Sequence, residues 1–106
     1  MGNAATLIDI ASMRVAAAEA TTALRVLANE DRLLLLCQLS QGEKSVGELE
    51  EILDIHQPTL SQQLGVLRSE NLVNTRRDGK RIFYSVTDPK VLALLSTLYD
   101  LYCPQA

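Results

Sequence analysis

Gln57-Pro58-Thr59-Leu60-Ser61-Gln62-Gln63-Leu64-Gly65-Val66-Leu67-Arg68, QPTLSQQLGVLR, places leucines at i, i+4 and i+7 with short polar side chains between them. That spacing predicts a helix running to about Ser69 with Leu60, Leu64 and Leu67 as its buried seam. On a wheel of about 100° per residue, Pro58, Gln62, Gly65 and Ser69 fall opposite the seam, with Thr59 and Ser61 on its flanks. The outward face is therefore uncharged and rich in amide and hydroxyl groups. Glutamine can pair with the edge of adenine, and serine or threonine with several bases, so such a face suits a major groove. Taken alone, it is equally well an ordinary solvated surface.

The flanking sequence gives the helix a context. Upstream, Ser45-Val46-Gly47-Glu48 matches a capping box in which the Ser and Glu side chains satisfy each other's backbone donors. A short helix from Val46 to Leu53 follows, joined to the quoted stretch by Asp54-Ile55-His56, and Pro58 fits a first helical turn, where its missing N–H is not needed. Downstream, Leu72 to Arg77 and Lys80 to Val86 flank Asp78-Gly79, the signature of a hairpin closed by a type I′ turn. A two-stranded ribbon with a basic tip is expected. Thr87-Asp88-Pro89 then starts a last helix with Val91, Leu92, Leu95, Leu98, Tyr99 and Tyr102 on a wide apolar face.

Before the capping box, Asn29 is a suitable N-cap for a helix reaching about Gln41, with Gly42 at its end. The run Leu33-Leu34-Leu35-Leu36-Cys37 with Leu39 makes that helix central. Residues 4 to 28 read as a long first helix, because good helix formers fill it and neither Gly nor Pro interrupts. Its Leu7, Ile10, Ala11, Arg14 and Ala18 line up as a surface of mostly small residues. The first and last helices carry more apolar surface than so small a body can cover, which points to a homodimer.

A chain of 106 residues with 47% apolar and 22% charged side chains supports one folded domain, here residues 1–106. No window has the roughly 18 apolar residues of a membrane span, and the start lacks the order of a secretory signal. A cytoplasmic location is the expectation, with no membrane partner. The net charge of −3 argues against a nucleic-acid partner only on average. Half of the positive charge, Arg68, Arg76, Arg77, Lys80 and Arg81, lies between residues 68 and 81. That clustering can form an anion-seeking face on an acidic body.

A short capped helix, a tight connection, a helix with a polar outward face and a basic hairpin form the order of a winged helix-turn-helix. The class is mainly α with a small β-hairpin: helix-turn-helix at 45–69, wing at 72–86, dimerisation helices at 1–28 and 88–106. Gln57, Thr59, Ser61, Gln62 and Gln63 are then candidates to read base edges of double-stranded operator DNA. Arg68, Arg76, Arg77, Lys80 and Arg81 are candidates to hold phosphates.

Asn29-Glu30-Asp31-Arg32-Leu33, Ser45-Val46-Gly47-Glu48-Leu49, Gln57 to Leu64, Leu67-Arg68, Leu72-Val73 and Arg81-Ile82-Phe83-Tyr84 resemble the ArsR (ArsR/SmtB) repressors. The likeness covers about residues 20 to 103. It implies a homodimer paired through the first and last helices that binds its operator through the fourth helix and wing. His56 stands where many such proteins have Ser, and is read as a helix-capping or DNA-touching residue rather than a metal ligand.

Many ArsR proteins sense metals through a Cys-x-Cys pair near the third helix or Asp and His on the last. Neither pattern occurs here: the third-helix region reads Glu48-Leu49-Glu50-Glu51-Ile52-Leu53, and the last helix has no His. No metal or other cofactor is expected. Cys37 on the second helix and Cys103 at the end of the last are each, taken singly, small hydrophobes more often than reactive thiols. Their placement, with Tyr99-Asp100-Leu101-Tyr102-Cys103-Pro104, resembles the BigR and SqrR subgroup and HlyU. That resemblance implies a redox-sensing pair, linked within one subunit by reactive sulfur species or an oxidant acting as inducer. Three alternatives stand beside it: an ArsR-type regulator without a thiol switch, HlyU-like or heme-responsive; a winged-helix module that binds protein; and an enzyme. Catalysis is disfavoured, because no Ser-His-Asp spacing or phosphate loop is present and Cys37 lies in an apolar run.

Overall fold

A computed structural model describes residues 9 to 104, and among them five helices and three short strands follow one another. The helices are α1 (Ile10–Leu27), α2 (Glu30–Leu39), α3 (Val46–Leu53), α4 (Thr59–Ser69) and α5 (Pro89–Tyr102). The strands are β1 (Lys44–Ser45), β2 (Asn74–Asp78) and β3 (Arg81–Ser85), in the sheet order β1-β3-β2.

The seam expected of α4 is its buried side. Leu60, Leu64 and Leu67 are buried with Leu35, Leu36 and Leu39 of α2 and Leu49 of α3 in a single apolar core. The leucine run of α2 divides as its helical period requires: Leu35, Leu36 and Leu39 face inward, Leu34 is exposed and Cys37 is half-buried. Val73, Tyr84 and Val86 close the core from the sheet side, and Val91 and Leu95 from α5.

Local signals fix most element starts. Asn29 accepts from the Arg32 N–H at 3.0 Å, and Asp88 accepts from the Lys90 N–H at 2.8 Å beside Pro89. The capping box is complete: Glu48 N–H donates to Ser45 Oγ at 3.2 Å and Ser45 N–H to Glu48 Oε1 at 2.8 Å.

Several expectations are corrected. Within the described residues the first helix runs from Ile10, with Asp9 extended and taking the Ser12 N–H at 2.9 Å as its cap; residues 4 to 8 of the expected helix, Leu7 among them, lie outside the described residues. The sheet has a third strand, since Lys44 and Ser45 pair with Tyr84 and Phe83. A two-residue strand has too little alternation to be legible. The hairpin turn is Gly79-Lys80, not Asp78-Gly79, because Asp78 is still paired with Arg81. Gly79 has φ +64 and Lys80 is not among the residues with positive φ, the sign pattern of type II′ rather than I′.

Helix α1 buries little of its surface. Only Val26 and Leu27 at its end are buried, while Ile10, Met13, Val15 and Leu24 are exposed. The radius of gyration of 16.1 Å exceeds the roughly 13 Å of a compact domain of about 100 residues. No helix of the described residues is long and apolar enough to cross a membrane.

Candidate nucleic-acid interface and thiol pair

Helix α4 presents the face its sequence spaced. Ser61, Gln62, Gly65, Arg68 and Ser69 are exposed, and Thr59 and Gln63 are half-buried. Gln57 lies just before the helix, and its Oε1 accepts from the Ser61 N–H at 3.1 Å and the Ser61 hydroxyl at 2.5 Å. One of the unpaired donors of the helix start is thereby satisfied, and the Gln57 amide nitrogen is left free of these bonds. Ser61 and Gln57 thus form one pre-ordered polar unit next to the exposed Gln62.

The His56 carbonyl accepts the Leu60 N–H at 3.0 Å, whereas the side chain bonds back to the end of α3. Its ring spans two carboxylates at the end of α3, with Nδ1 at 3.1 Å from Glu50 Oε2 and Nε2 at 2.6 Å from Asp54 Oδ1. These hydrogen bonds, first to Glu50 and then to Asp54, hold the imidazole pKa above its ordinary value. The pairing ties the connection between α3 and α4 to the helix before it. Among the described residues no group of three His, Cys, Asp or Glu side chains is arranged to hold a metal ion.

The wing cations are of two kinds. Arg76 is held by Glu43 through two hydrogen bonds, Nε to Oε2 at 2.9 Å and Nη2 to Oε1 at 2.7 Å, and its guanidinium lies 4.6 Å from the Phe83 ring centre. That pairing holds the Glu43 carboxyl below its usual range. Arg81 stacks on the same ring at 4.8 Å and donates to Ser45 Oγ at 3.1 Å. Arg76 thus ties β2 to the residue before β1, and Arg81 ties β3 to the Ser45 cap of α3. Arg77 and Lys80, by contrast, are exposed and have no ion pair among the described residues, and the same holds for Arg68. Glu43 and Phe83 carry no functional signal in the sequence, because both lie far along the chain from at least one of the arginines they hold until the sheet forms.

Gln63 differs from its neighbour Gln62. Its Oε1 accepts from Arg32 Nη1 at 3.0 Å, and Arg32 also donates to the carbonyls of Val26 and Arg25. The sequence alone gives Arg32 no role, although it stands inside a quoted motif.

Cys37 borders an open groove of about 470 Å³ between α2 and α5, lined also by Ser40, Leu92, Ser96 and Tyr99. Cys103 ends α5, its N–H donating to the Tyr99 carbonyl at 2.9 Å. No disulfide joins Cys37 to Cys103. Burial, and then the charge of Cys103, push the Cys37 thiol up from its ordinary pKa. Since thiolates react and thiols do not, Cys37 is expected to alkylate slowly at neutral pH and faster as pH rises. Timed iodoacetamide labelling read by mass spectrometry should find the exposed Cys103 modified first; equal rates at pH 7 would contradict this.

Comparison with known proteins decides the family. Residues 29–75 match the model of the bacterial regulatory proteins of the arsR family. The biofilm growth-associated repressor of Agrobacterium fabrum is 51% identical over 91% of this chain and 82% of its own length. This chain belongs to the ArsR family.

Solved relatives agree with that membership throughout the fold. The transcriptional repressor BigR from Xylella fastidiosa superimposes with a TM-score of 0.84 at 47% identity, over 92% of this chain and all of that one. Reduced HlyU from Vibrio cholerae gives 0.82 at 42% identity, over 87% of this chain and 97% of that one. The ArsR-family protein is thus a winged helix-turn-helix regulator over its described length, with β2 and β3 as the wing and β1 anchoring it to α3.

Proposed function

We propose that this protein is a dimeric repressor that grips operator DNA through α4 and the wing and lets go when Cys37 and Cys103 become linked. The observations that carry the reading are the exposed, uncharged Ser61-Gln62 face of α4 and the exposed wing cations Arg77 and Lys80, which have no ion pair among the described residues. Amide and hydroxyl groups discriminate bases, and cations supply affinity and register. The repressors named above at about half identity support the sign of regulation, and a relative solved specifically as reduced HlyU supports a redox variable. The dimer rests on α1: Ile10, Met13, Ala17 and Leu24 fall within about 60° of its circumference, an apolar stripe that its own chain leaves open.

The switch balances with inorganic polysulfide as oxidant. One cysteine thiolate attacks the terminal sulfur of the polysulfide, breaks its S–S bond, becomes a persulfide and expels the polysulfide shortened by one sulfur, which is hydrosulfide when only two sulfurs were present. The second thiolate then attacks the cysteine-derived sulfur and expels hydrosulfide, leaving a disulfide; a retained sulfur atom would give a longer bridge. A direct disulfide needs Cα atoms about 4.4 to 6.8 Å apart, and inserted sulfur relaxes that limit. Linking the end of α5 to α2 would shift how the first and last helices pair. Recognition helices must meet grooves about 34 Å apart, so a coupling of about 1 to 3 kcal/mol is enough to release one.

A gel-shift titration with the duplex upstream of its own gene, with and without polysulfide, tests the reading. Reduced protein should bind, treated protein should bind weakly, and Cys37→Ser and Cys103→Ser should bind in both conditions. Unchanged affinity after treatment, with both thiols still free by mass spectrometry, would remove the switch. The wing sorting adds a further expectation: Arg77→Ala and Lys80→Ala should each flatten the slope of log affinity against log salt by about 0.9. Arg76→Ala should change that slope less, because Glu43 already neutralises it; an equal loss from all three would contradict the two kinds of wing cation.

A further inference from the structure

We infer that Arg32 and Gln63 are positioning residues that fix the recognition helix to the end of α1, and that Gln63 does not read bases. The inference rests on the DNA-binding reading above. Arg32, in the first turn of α2, donates through Nε to the Val26 carbonyl at 2.7 Å, through Nη2 to the Arg25 carbonyl at 3.3 Å and through Nη1 to Gln63 Oε1 at 3.0 Å. One guanidinium therefore joins three helices.

Each bond has a physical reason. The last carbonyls of a helix have no partner within it, and the negative end of the helix dipole favours a cation there. The chain turns sharply after α1, where Asn29 N–H bonds to the Leu27 carbonyl, so the Arg25 and Val26 carbonyls are left for Arg32. The flat fork of a guanidinium can serve two carbonyls and still direct an N–H toward α4. Gln63 lies about 60° from the leucine seam, half-buried, whereas Gln62 lies about 160° from it and is exposed. A glutamine that reads adenine uses its amide oxygen and nitrogen together. In Gln63 the oxygen is committed to Arg32. The orientation of α4 is thus referenced directly to α1, the helix whose apolar stripe is open to a second subunit, and a change in subunit pairing has a path to the DNA-reading face that bypasses the core.

Three variants tested on DNA and a DNA-free double-mutant cycle test this. Gln63→Glu keeps an acceptor for Arg32, as a charge-assisted bond, and should hold operator affinity within about threefold. Gln62→Glu places a carboxylate against the duplex and should lose about 30-fold or more, the equivalent of one base-edge pair. Equal losses from both would overturn the inference. Gln63→Leu should weaken every single-base variant of the operator by the same factor, whereas relaxed discrimination at one base pair would make Gln63 a reader. Without DNA, urea midpoints of Arg32→Ala, Gln63→Ala and the double variant should be non-additive, the double losing less than the sum. Additivity would sink the bridge whether or not DNA binds. Failure of the wild type to bind any duplex would instead overturn the regulator reading, and with it the positioning role.

Discussion

Leu60→Ala is expected to lower the unfolding free energy by about 2 to 5 kcal/mol. Leu60 is 0% exposed and stands where α4 meets the leucines of α2 and α3. Truncation removes apolar contact and leaves a void that tightly packed neighbours fill only in part. Against a total stability of about 5 to 15 kcal/mol, that loss is large. The same change at Leu34, 41% exposed on the outer side of α2, should cost well under half as much. Urea denaturation of the two variants checks the pair. Similar losses at both positions would mean that the seam of α4 does not bear on the core as described.

Leu24→Glu is expected to give a monomer and to weaken operator binding by about 100-fold or more. Leu24 is 54% exposed on the α1 stripe, so the substitution should be nearly harmless to an isolated subunit. A carboxylate buried against apolar surface in a dimer is not harmless. The loss in DNA affinity follows from valency, since joining two half-site contacts raises avidity by about 10² to 10⁴ over one. Sedimentation velocity gives the oligomeric state and anisotropy gives the affinity. A variant that stays dimeric would place the interface elsewhere, and a monomer with full affinity would remove the need for paired recognition helices.

The helices, their caps and the face of α4 are legible because they depend on neighbours within about four residues. Leu60, Leu64 and Leu67 declare a seam by spacing alone, and Ser45 with Glu48 declares a cap. What is not legible depends on residues brought together by folding. Arg76 and Arg77 are adjacent, both basic and both exposed, yet one is braced by Glu43 and Phe83 while the other is not. Gln62 and Gln63 are identical neighbours, and only the tertiary position of Arg32 distinguishes them. His56 reads as a helix-capping or DNA-touching residue, and nothing in the sequence pairs its side chain with Glu50 on the helix before. The strand Lys44–Ser45 escapes notice for the same reason, its only definition being the pairing with β3.

The structure therefore divides a row of similar polar residues into those that hold the recognition helix and those left facing outward. Fluorescence anisotropy of a labelled duplex from upstream of the gene, titrated with reduced wild type and with Ser61→Ala/Gln62→Ala, addresses that division most directly. Wild type should bind at about 10⁻⁸ M or tighter at physiological salt, and the double variant should lose about 1 to 3 kcal/mol per pair while keeping the fold and oligomeric state of the wild type. Equal affinity of the two proteins for that duplex would show that the exposed face of α4 does not read it.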